Sequence, residues 1–174
     1  MSGSEIALTI VTAALAGAGA SLLTLVYNSA KERADRHREH FSRALEVVSS
    51  YEEFPYVVRR RRSSDREGER IRISTELRSV QAELSYYHAW LSSESPVVGH
   101  AYVALVEELR RLVGPLIHEA WLTPPIEDDA GMNITDIGPE VAKLAPLKEQ
   151  YLVAVMDHLS IWPRWLRRAR SSLR

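Results

Sequence analysis

Apolar residues open this chain as one unbroken run and then recur at helical spacing. Residues 6–27 read IALTIVTAALAGAGASLLTLVY and carry no charge. At about 1.5 Å per residue such a run makes a helix of about 33 Å, enough to cross the hydrocarbon core of a bilayer. From there, Tyr27, Ala30, Ala34, His37, Phe41, Ala44, Val48 and Tyr51 alternate spacings of three and four. That is a heptad seam, suited to a coiled coil between subunits or to one face of a bundle core. No Gly or Pro lies between Leu22 and Phe54. The pattern therefore predicts one helix running from the apolar run to near Glu53, where Pro55 disfavours continuation.

Three further helical patterns follow. Ser64-Asp65-Arg66-Glu67 matches a capping box and predicts a helix to about Ser92. Its core side reads Ile73, Leu77, Val80, Leu84, Tyr87 and Leu91. Gly68 weakens its first turn, and the alternation from Arg70 to Ile73 leaves a short strand as the lesser alternative. Ser95 as cap and Pro96 at the first helical position start the next helix. Its stripe is Val98, Ala101, Leu105, Leu109, Leu112 and Leu116, with a kink predicted at Gly114-Pro115. Residues 122–138 read as a loop, with Pro124-Pro125 and the acids Glu127, Asp128, Asp129 and Asp136. A last helix from near Pro139 carries Val141, Leu144, Leu147, Tyr151, Val155 and Leu159, and Pro163 interrupts it.

The fold class is all-α. Residues 1–27 form a short outer tail and a transmembrane anchor. Residues 28–161 form a cytoplasmic up-and-down bundle of about four helices. Residues 162–174 form a short basic amphipathic helix. The N-terminal MSGSE lacks the positive charge of a secretory signal, so the run reads as a retained anchor. Lys31, Arg33, Arg36 and Arg38 follow it and no Lys or Arg precedes it, which places the N-terminus outside and the rest inside. Within the run, Ala13, Gly17 and Ser21 recur every four residues. Such a small-residue stripe lets spanning helices approach closely and points to a homo-oligomer.

Composition narrows the chemistry. Net charge is −1, which speaks against a polycation made for nucleic acid. Cysteine is absent, so disulfides, thiolate zinc sites and thiol catalysis are excluded. No phosphate-binding glycine loop, dinucleotide fingerprint, zincin motif or nucleophile elbow occurs. The sequence thus assigns no catalytic residue, cofactor or metal ligand. His37 and His40 share a spacing of three, but no acid or further His is implied beside them. His88, His100, His118 and His158 read as core-edge or surface residues. Asn133-Ile134-Thr135 is a chance sequon on a cytoplasmic reading, and the acidic loop lacks calcium-loop spacing.

Two basic features remain. Arg59, Arg60, Arg61 and Arg62 form a run that could dock an acidic partner, or could simply be solvated beside Glu52, Glu53, Asp65, Glu67 and Glu69. At the C-terminus, Trp162, Trp165, Leu166, Ala169 and Leu173 share one helical face, while Arg164, Arg167, Arg168, Arg170 and Arg174 share the other. That amphipathic tail suits an anionic leaflet; the alternative is that its tryptophans plug the bundle end. The resulting expectation is a membrane-anchored interaction or regulatory module with a cytoplasmic protein partner. The alternative is a membrane-active oligomer, a small channel or permeabilising effector, against which the lack of strongly polar residues in the run argues.

Overall fold

The computed structural model describes Asn28, Glu32 and residues 37–160. The chain divides into two compact units, Met1–Glu39 with Ile161–Arg174, and His40–Ser160. Of the first, Asn28, Glu32 and residues 37–39 are described, and all are helical. The anchor, its stripe of Ala13, Gly17 and Ser21, and the tail from Trp162 to Arg170 lie outside the described residues. Among the described residues no helix is long and apolar enough to cross a membrane.

The second unit is an all-helical bundle, and no strand occurs among the described residues. Within this unit helix α1 covers residues 40–52 and is followed by a short helix α2, Phe54–Arg59. The long helices α3, Arg66–Glu94, and α4, Pro96–Leu122, come next. A loop with one 3-10 turn, Ala130–Met132, leads to α5, Gly138–Ala142, and α6, Ala145–Leu159. Long helices alternate in direction. His40 and Arg43, early in α1, meet Trp90 and Glu83 of α3. The Phe41 carbonyl accepts from the Tyr151 hydroxyl of α6 at 2.9 Å, while Glu52 at the other end of α1 pairs with Lys148 at the start of α6.

Local chemistry explains the ends. The Asp65 carboxylate, not the Ser64 hydroxyl, caps α3 by accepting from the Gly68 N–H at 2.9 Å. A Cβ at position 68 would collide with that carboxylate. Gly68 therefore makes room for the cap, where the sequence had suggested only a weakened turn. The cap and Pro96 start α4 as predicted, with Ser95 Oγ 3.4 Å from the Val98 nitrogen. Gly114-Pro115 does not end α4, which stays helical to Leu122.

Two breaks differ from the predicted elements. Pro55 opens α2 rather than a loop, because a helix start requires no N–H at that position. The last predicted helix splits at Lys143-Leu144. Pro146 has no N–H to offer the Ala142 carbonyl, and its ring crowds that oxygen.

The described second half of the heptad seam turns inward, while Tyr27, Ala30 and Ala34 lie outside the described residues. Phe41, Ala44, Val48 and Tyr51 are all buried within the chain, together with Val47. They are core, not a free coiled-coil edge. On α3, Ile73, Leu84, Tyr87 and Leu91 are buried as predicted, and Leu77 and Val80 pack against the core. Helix α4 is buried beyond its predicted stripe, with Tyr102, Val106, Val113, Ile117 and Ala120 also inside. It contacts α2, α3, α5 and α6 and is the central helix of the unit. A Cβ on Gly99 would stand 2.6 Å from the Ser92 Cα, so this glycine sets how closely the chain turns from α3 into α4. Lys148 Nζ lies 2.7 Å from Glu52, whose side chain is 9% exposed. That ion pair ties α1 to α6 inside the unit.

Candidate docking surfaces

The basic run follows directly from α2, whose Phe54, Pro55 and Val58 are anchored in the core. That anchoring fixes Arg59 to Arg62 at the junction of α2, the end of α4 and the loop after it. Arg61 does most there. Its guanidinium donates to the carbonyls of Val58 at 2.7 Å, Ala120 at 3.0 Å and Thr123 at 2.8 Å. It also lies 5.2 Å from the centre of the Trp121 ring. The last carbonyls of a helix have no intrahelical partner and carry the negative end of its dipole. Arg61 supplies both the donors and the charge that end lacks. Burial, then the nearby Arg59 and Arg66, hold its pKa below the usual guanidinium value.

The neighbouring arginines are also engaged. Arg60 donates to the Met132 carbonyl at 3.1 Å and sits over the Tyr56 ring. Arg59 reaches Asp136 at 3.7 Å, and its own carbonyl accepts from the Ile126 N–H. Arg62 contributes its backbone N–H to Glu69, and Glu69 is further held by Arg72 at 2.9 Å. The structure thus gathers all four predicted docking residues at one place, but three of their side chains grip the chain itself. Arg60 and Arg62 are the exposed members. The acidic loop is partly the counterpart of this run, since Asp136 and Met132 belong to it.

The other end of the unit is aromatic. The Phe41 ring meets Trp90 at 5.5 Å and His158 at 5.7 Å, both edge-on. His40 lies against Trp90 at 4.7 Å, and His158 Nε2 stands 3.4 Å from Glu94. His158 is therefore a core-edge residue, as its scatter in the sequence suggests, and His40 packs on Trp90 from an exposed position.

One apolar feature was missed in the sequence. On α6, Leu152, Val153 and Met156 are 44%, 52% and 68% exposed, while Tyr151 and Val155 fill the core. The sequence stripe gave only the inward face. The outward one was readable in the same residues, because Leu152 and Val153 sit where an amphipathic surface helix carries polar groups. Against known proteins, the chain matches no family model, no curated protein and no solved structure.

Proposed function

We propose that the chain is a single-pass, membrane-anchored helical module of the cell membrane, with its N-terminus outside and its bundle in the cytoplasm, serving protein interaction or regulation and self-associating through its anchor. The observation that carries the reading is the uncharged run of residues 6–27 with basic residues only after it. The seam residues Phe41, Ala44, Val48 and Tyr51 are spent inside the chain, and the small-residue stripe of Ala13, Gly17 and Ser21 would be the surface for a second copy. The exposed Leu152, Val153 and Met156 give the bundle an apolar face for a protein partner. The basic tail of Trp162, Arg164, Trp165, Arg167, Arg168 and Arg170 would settle on the anionic inner leaflet.

Membrane fractionation tests the reading. The full chain should stay in the membrane pellet through alkaline carbonate, and a reporter fused after Arg174 should report the cytoplasm. Release by carbonate would overturn the anchor. An outward-facing reporter would overturn the orientation.

A further inference from the structure

We draw no further inference here: the strongest candidate, the exposed apolar face of α6 at Leu152, Val153 and Met156, already belongs to the docking surface described above, and nothing in the structure shows what covers it.

Discussion

Replacing Arg61 measures what the basic run is for. Its side chain makes three hydrogen bonds of 2.7, 3.0 and 2.8 Å to carbonyls, a longer and weaker one of 3.4 Å to the Trp121 carbonyl, and stacks on the Trp121 ring. Hydrogen bonds to a charged group contribute about 1.5–3 kcal/mol each when fully buried. Arg61 is only partly buried, and water can replace it at Ala120 and Thr123, so about 1 kcal/mol each is the better figure. Trp121 adds about 0.5 kcal/mol. Ordering the side chain costs about 1.5–2 kcal/mol. The balance is about 2 kcal/mol in favour of the fold.

Urea unfolding of the full chain in mild detergent, followed by far-UV circular dichroism, reads this directly. With a slope of about 2 kcal/mol per molar, Arg61→Ala should lower the midpoint by about 1 M. Arg61→Lys keeps the charge near the helix end but not the fork, and should recover about half. Amide exchange at Ile126 should quicken in Arg61→Ala, because the loop it begins is tethered beside Arg61. A midpoint shift under about 0.2 M, or full recovery by Lys, would refute the reasoning and return Arg61 to the role of a solvated charge.

Four other outcomes follow from the same structure. Gly99→Ala should destabilise by about 1–3 kcal/mol in the same assay, since its Cβ would meet Ser92 at 2.6 Å. Gly114→Ala, where nothing lies within 4 Å, should stabilise by up to about 1 kcal/mol through helix propensity. Lys148→Met should cost about 3 kcal/mol, because it strands the Glu52 carboxylate inside. Burial raises the hydroxyl pKa of Tyr102 and Tyr151 above the usual tyrosine value. Groups that hold their proton more tightly when folded stabilise fully below the unfolded pKa of about 10, and that stability is lost as pH rises past it. Urea midpoints should therefore be flat from about pH 8 to 9.5 and fall above about pH 10, less steeply in Tyr102→Phe.

What could be read from sequence followed the range of the interactions. Ser95-Pro96 located the start of α4 to the residue, because a cap involves only its nearest neighbours. Helix α3 came within two residues of its end for the same reason, although the cap moved from Ser64 to Asp65. The inner stripe of α4 was legible, but Val113, Ile117 and Ala120 were not, since their burial depends on neighbours distant in sequence. The arginine run shows the limit most plainly. Four consecutive arginines beside acids read as a solvated patch or a docking site. Nothing local announces that the carbonyls of Ala120 and Thr123, some sixty residues on, wait for one of them. The outward apolar residues of α6 were visible but lay outside the core stripe.

The inward use of Phe41, Ala44, Val48 and Tyr51 keeps that part of the seam from a second copy, and single cysteines test the proposed association without background because the chain has none of its own. Ala44 is fully buried against the bundle's own helices, with its carbonyl 3.4 Å from the Tyr102 hydroxyl. A cysteine there is close to alanine in size, so Ala44→Cys should fold. Within one spanning helix, Gly17 and Ser21 are one turn apart and share a face. If copies associate through the anchor, oxidation in membranes should give dimers from Gly17→Cys and Ser21→Cys and none from Ala44→Cys. Dimers from Ala44→Cys as well would mean that the heptad seam runs between subunits and that the bundle core opens to admit it. Dimers from none of the three would remove self-association through the first helix and leave the exposed face of α6 as the surface for a partner.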